Sequence, residues 1–174
     1  AVSEATKKDI VKQYAISDKN ISVAGNALPQ SISKISTSAI SKVREKVSQG
    51  NPYFVYVGSL HPRKNIDSLI KAFNIFKESD MSDCKLVLYG RNAWKTSSLF
   101  SLYNASKFKN DIVFLNDGDC SVSEVLSAAK ALCYVSLFEG FGIPILEAFA
   151  CEIPVITSNV SSMPEVAGDA AILV

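Results

Sequence analysis

An open, doubly wound sheet of parallel strands with helices on both faces is the α/β fold class this sequence predicts. Three observations carry it. Short apolar runs bounded by turn residues recur at Tyr53–Val57, Leu86–Tyr89, Ile112–Leu115, Ala131–Val135 and Pro154–Ile156. Runs of that length and continuity suit strands buried on both faces of a parallel sheet. Stretches of helical periodicity separate them, and strand–helix alternation of this kind builds a parallel sheet with right-handed crossovers. Of the 174 residues 48% are hydrophobic, which excludes intrinsic disorder and supplies one sizeable core.

The elements follow in order. Ser3–Tyr14 predicts a helix, Ile21–Ala24 a short strand and Ser36–Val47 a second helix. Between them Gly25–Ser38, rich in Gly, Pro, Ser and Asn, predicts an irregular linker. After the strand Tyr53–Val57, the residues Ile66, Leu69, Ile70, Phe73 and Phe76 mark the apolar stripe of a helix, with Lys71, Lys77 and Glu78 on its other face. Ser97–Phe108 and Ser123–Ala131 predict two more helices, and Ser121 with Glu124 forms a capping box ahead of the second. Pro144–Cys151 predicts a short helix with Pro in its first position, and Ile172–Val174 a last strand.

Charge and composition exclude several function classes. Eighteen Lys and Arg balance seventeen Asp and Glu, a net charge of +1 that provides no excess to neutralise a duplex. No apolar run is long enough to cross a membrane as a helix. The single His and the four Cys share no metal-ligand spacing, so no metal is predicted. Cys84, Cys133 and Cys151 lie in or beside apolar runs, which predicts buried free thiols and a reducing, cytoplasmic setting. The chain opens Ala-Val-Ser-Glu, without Met or a signal segment, and is read as a piece of a longer protein.

Doubly wound sheets bind ligands beyond the carboxyl ends of their strands. After the first long strand come Gly58 and, five and six residues on, Arg63 and Lys64 at a helix start. Arg grips phosphate bidentately and Lys adds a point charge, although two solvated cations on a turn would look the same. After the second strand stand Gly90, Arg91 and Asn92; after the third, Asn116, Asp117, Gly118 and Asp119. Both read as turns or as ligand contacts, and the acidic turn is a weak metal signal.

The most informative segment follows the fourth strand: Glu139-Gly-Phe-Gly-Ile-Pro-Ile-Leu-Glu147. Glycines around Phe141 directly before a helix expose backbone N–H groups to an anion. Carboxylates there would repel an anion unless they accept hydrogen bonds from hydroxyls attached to it. The structural alternative is that Glu139 and Glu147 support the helix start. Cations for a diphosphate, carboxylates for hydroxyls and a glycine-lined backbone together make the chemistry of a nucleotide-sugar site.

These residues resemble the E-x7-E motif of retaining glycosyltransferases of the GT-B fold, family 4 (glycosyl transferases group 1). Val55–Gly58 with Arg63-Lys64-Asn65, Glu147–Cys151 with Ile153–Ile156, and Met163–Ala171 resemble further motifs of the family, so the likeness covers residues 53–174. Residues 3–28 resemble the stretch leading into its C-terminal domain. The resemblance implies a Rossmann-like donor-binding domain over 51–174, truncated at its end, and a remnant of the N-terminal domain edge and linker over 1–50. It implies that Arg63 and Lys64 bind the donor diphosphate, Glu139 the donor sugar and Glu147 the ribose. Gly58, Gly140, Phe141 and Gly142 would offer backbone, Leu146 would pack near ribose or base, and Asn116 would lie beside the base. Arg63, Lys64 and Glu139 would carry catalysis, with a UDP-, GDP- or ADP-sugar as substrate and no other cofactor. A sugar, polysaccharide or lipid-linked acceptor would sit on an N-terminal domain this chain lacks, which would bring the protein to the inner face of a membrane. The piece alone is expected to be inactive. Glu152 stands where the family has Gly, and Arg91 where it has a small residue or Pro. Glu165 has a second reading, as part of a helix start after Pro164. A non-catalytic nucleotide-sugar module, a sugar epimerase or phosphorylase of the same architecture, and a glycoside hydrolase using Glu139 and Glu147 are the rival functions.

Overall fold

The computed structural model describes residues 1–80, 82–91, 97–116 and 118–174. Asn92 and Asp117, both singled out in the sequence, lie outside the described residues. α1 (Glu4–Tyr14) and α2 (Thr37–Ser48) precede the sheet, each opened by a serine, Ser3 and Ser36, whose hydroxyl accepts from a backbone N–H of the first turn. Then β1 (Tyr53–Val57), α3 (Ile66–Asp80), β2 (Lys85–Tyr89), α4 (Ser97–Ala105) and β3 (Ile112–Leu115) alternate. α5 (Val122–Ser127), β4 (Ala131–Tyr134), α6 (Ile143–Ala150), β5 (Val155–Thr157), α7 (Met163–Ala167) and β6 (Ile172–Leu173) complete the chain.

The strands form one parallel sheet in the order β3-β2-β1-β4-β5-β6. Successive side chains of β1 leave opposite faces. The Tyr53 hydroxyl donates to Val125 O of α5 at 2.8 Å, and Phe54 meets Phe76 of α3 edge-on with centroids 5.4 Å apart. Helices therefore cover both faces, and β1, β2 and β4 are almost wholly buried between them. All four cysteines are free and buried, and burial pushes the Cys133 thiol up to about 12.

Several expectations needed correction. Ile21–Ala24 is not a strand: Ile21 N turns back to Asp18 O, and two bonds to the chain start, Ala24 N to Ala1 O and the Ala1 amino group to Ser22 O, are too few for a ladder. The helix expected over Ser123–Ala131 begins at Val122 and stops at Ser127, because Ala128 caps it and Ala131 already belongs to β4. The helix from Ser97 ends at Ala105, where the Ser106 hydroxyl turns to Asn74 and accepts from the Phe108 N–H. The linker ends at Ser36, the N-cap of α2, two residues before the expected Ser38.

The order of strands reverses direction between β1 and β4. Chain leaving β1 runs toward β2 on one side, and chain leaving β4 runs toward β5 on the other. That divergence opens a crevice at the strands' carboxyl ends, bounded by the loop after β1 and the loop between β4 and α6.

Candidate active site

An open cleft of about 320 Å³ occupies that crevice. Gly58, Lys64, Glu139, Gly140, Phe141 and Gly142 line it, with Tyr134 at the end of β4 and, from the first residues of the chain, Val2 and Asn26. Six of the residues expected in the site thus converge. Arg63 joins them through Glu139, whereas Asn116, Leu146 and Glu147 are not among the residues lining the cleft.

The cations do not stand at the start of α3. They occupy a 3₁₀ turn, Pro62–Lys64, ahead of it, and Asn65 in the left-handed region (φ 57°) turns the chain into the helix. The Asn65 amide donates to Val135 O at 3.1 Å, and Leu137 N donates to Arg63 O at 2.9 Å. These bonds stitch the β1 loop to the β4 loop across the crevice.

Stitching brings the cations onto Glu139. The Arg63 guanidinium donates to Oε2 at 2.8 Å, and Lys64 Nζ donates to Oε1 and lies 3.1 Å from the Tyr134 hydroxyl. Lys64 and Glu139 are buried, while the Arg63 side chain is 41% exposed. Burial pushes the Glu139 carboxyl up, but hydrogen bonds from Lys64 and Arg63 outweigh it and hold the group below its ordinary range. Burial, then the nearby Glu139 charge, raise the Tyr134 phenol, which stays protonated. The alternative that Glu139 caps a helix is corrected: Gly142 is the N-cap of α6, and the Glu139 carboxylate pairs with both cations.

The loop before α6 presents its N–H groups. The Phe138 carbonyl accepts from Arg63, and the Glu139 carbonyl accepts from Ser161 Oγ at 2.6 Å. The Gly140 carbonyl accepts from Ser3 Oγ at 2.7 Å and Thr6 Oγ1 at 2.9 Å, and Ser162 Oγ lies 2.7 Å from Phe141 O. With the carbonyls so held, the N–H groups of Gly140, Phe141 and Gly142 donate to no acceptor among the described residues. Paired carbonyls beside unpaired donors are what an anion or a polar ligand requires of a backbone cradle. The glycines also have local reasons. Gly142 (φ 109°) is the N-cap of α6, a conformation hostile to a side chain. At Gly58 (φ 142°) an added Cβ would meet Tyr56 Oη at 2.8 Å.

Glu147 sits in the second turn of α6, and its carboxylate makes no hydrogen bond or ion pair among the described residues. Burial raises its carboxyl above the ordinary value. Asn116 is exposed at the end of edge strand β3, its N–H donating to Asp119 Oδ2 at 2.8 Å. Glu165 lies in the first turn of α7 and accepts from the Glu4 and Ala5 N–H groups. No group of three or more His, Cys, Asp or Glu converges as a metal site among the described residues. No described helix is long and apolar enough to cross a membrane. Sequence reasoning missed Tyr134, Ser161 and Ser162, and missed Ser3 and Thr6 as site residues. The Ser3-x-x-Thr6 spacing was visible, but it reads as a helix cap.

The profile of the glycosyl transferases group 1 family matches residues 38–174, most of the chain. The chain belongs to that family. O-antigen chain mannosyltransferase B of Escherichia coli is 37% identical over 122 residues, covering 70% of this chain and 32% of that protein. O-antigen chain mannosyltransferase RfbU of Salmonella typhimurium is 32% identical over 174 residues, covering 99% and 45%. The crystal structure of Anabaena Alr3699/HepE in complex with UDP and glucose superposes with a TM-score of 0.88 at 22% identity, covering all of this chain and 48% of that one. The group 1 chain thus spans less than half the length of these relatives, and its fold is that of GT-B glycosyltransferases.

Proposed function

We propose that this chain is the donor-binding part of a retaining glycosyltransferase that takes a nucleoside diphosphate sugar, with mannose as the transferred sugar. The observation that carries the reading is the cleft at the strand-order reversal: Lys64 and the glycine loop with its three unpaired N–H groups line it, and Arg63 reaches it through Glu139. The mannosyltransferase relatives support the sugar, and the neighbour crystallised with UDP and glucose supports a nucleotide-bound donor.

In this reading the diphosphate takes Arg63 and Lys64 over from Glu139. The leaving group becomes more negative as the glycosidic bond breaks, and cations already oriented by the fold stabilise that charge without reorganising. The N–H groups of Gly140, Phe141 and Gly142 add dipoles. Released from its ion pairs, the Glu139 carboxylate accepts from hydroxyls of the transferred sugar. Glu147, unpaired on α6, accepts from the ribose, with Leu146 beside it and Asn116 toward the base. Residues 1–50 belong with an N-terminal part that binds the acceptor, a sugar, polysaccharide or lipid-linked saccharide.

A thermal-shift and calorimetric panel of GDP-mannose, UDP-glucose and ADP-glucose, each with its bare nucleoside diphosphate, tests the reading. One of the three at a hundredfold excess over its Kd should raise stability by about 2.7 kcal/mol. Failure of all three to bind sinks it.

A further inference from the structure

α1 is attached in an unusual way. None of its eleven residues is buried, yet its N-cap Ser3 is fully buried. The helix is therefore held by polar contacts at its first turn. Glu4 N and Ala5 N donate to the Glu165 carboxylate at 2.9 and 3.2 Å, which places an anion on the positive end of the helix. The hydroxyls of Ser3 and Thr6 both donate to Gly140 O, across more than 130 residues of sequence.

That carbonyl belongs to the peptide whose N–H is Phe141. No peptide bond is cis among the described residues, so the C=O and N–H of this unit point in opposite directions. Binding the carbonyl to α1 turns the Phe141 N–H away from α1 and leaves it unpaired. A peptide held on one side only would flip readily in a loop bounded by glycines. Two hydroxyls on one carbonyl oppose the flip.

We propose that Ser3 and Thr6, with Glu165 anchoring their helix, are positioning residues: they hold the Gly140–Phe141 peptide with its N–H available to the donor, so that docking of α1 and donor binding support one another. The proposal rests on the cleft being the donor site. Coupling of this kind is reciprocal: what α1 does for the donor, the donor does for α1.

The test compares Thr6→Val, Thr6→Ser and Glu165→Ala in the whole chain. Thr6→Val keeps shape and loses the hydroxyl, and the Ser3 cap is left in place. Affinity for GDP-mannose or UDP-glucose, whichever the wild type binds, should fall about tenfold in Thr6→Val, the worth of one hydrogen bond. Thr6→Ser should restore it. Glu165→Ala, although Glu165 is not among the residues lining the cleft, should weaken binding in the same direction. Donor should also slow amide exchange at Glu4 and Ala5 in the wild type. Wild-type affinity in Thr6→Val, or no rescue by Thr6→Ser, overturns the latch while the donor site stands. If the wild type binds neither nucleotide-sugar, the donor reading falls. The latch is then decided by exchange at Glu4 and Ala5, which Thr6→Val must speed and whose unchanged rate overturns it.

Discussion

Glu139 sits between two cations of unequal burial, and the inequality sets what each substitution does. Lys64 and Glu139 are both buried, so Lys64→Ala leaves a carboxylate short of a partner in a poorly solvated site, a loss of about 3 kcal/mol or more. Arg63 is 41% exposed and its pair is worth about 1 kcal/mol at most. Urea unfolding of the two variants should show that ordering, and Arg63→Ala is the variant in which to measure diphosphate affinity on intact protein. Glu139→Gln should weaken the fold at pH 7 yet tighten binding of a bare nucleoside diphosphate, since it removes the competing internal anion. Looser diphosphate binding in Glu139→Gln would exclude the proposed exchange of partners. The acid dependence follows from the lowered carboxyl. A group depressed in the folded state contributes stability above its unfolded pKa, near 4.3, and loses it as pH falls through the folded value. Stability of the wild type should therefore drop toward that of Glu139→Gln below about pH 4.3. Glu147 has the opposite sign, because burial raises it. Glu147→Gln should raise the melting temperature at pH 7 while weakening nucleoside diphosphate binding, and a variant that changes neither would remove Glu147 from the site.

At the scale of elements, most boundaries follow from chemistry within a few residues. The capping box is formed as expected: Glu124 N donates to Ser121 Oγ at 3.2 Å, and Ser121 N donates to Glu124 Oε2 at 2.7 Å. α6 ends in the turn where Glu152 replaces the glycine its family resemblance implies. Glu152 does adopt the left-handed region, at φ 57°, and its carboxylate meets Lys34 at 2.8 Å on the surface. A surface pair of that kind offsets little, whereas the left-handed backbone costs a residue with a Cβ about 1 kcal/mol. Glu152→Gly should therefore raise the melting temperature by about 2–4 °C, by scanning calorimetry. No change would mean the Lys34 contact fully offsets the strain. The misplaced elements are instructive in the same way. Ile21–Ala24 has β-forming residues but no strand beside it, and a strand without a partner has no ladder to join.

For the whole molecule, the strand order decides where chemistry can occur. Reversal between β1 and β4 brings Lys64 and Glu139 together from 75 residues apart. With Lys64 and three backbone donors lining the cleft and Arg63 beside it on Glu139, nucleotide-sugar binding should survive EDTA. Loss on chelation and recovery with Mg²⁺ would require a metal ligand set and would turn attention to Asp119 and its neighbours. The sequence by itself determined the alternation of strands and helices, because burial on both faces and helical amphipathicity leave local periodicities. It also marked the glycine-flanked Phe141 and the cations after β1, because turns at strand ends restrict residue type. Tertiary structure alone decided that Glu139 neutralises Arg63 and Lys64, and that Glu147 lies off the cleft lining. It alone decided that Ser3, Thr6, Ser161 and Ser162 hold the carbonyls of one loop. Periodicity reports which face of an element is buried. It carries no record of which distant side chain completes a hydrogen bond, since a serine that caps a helix and a serine that also orients a site are the same residue until the chain has closed on itself.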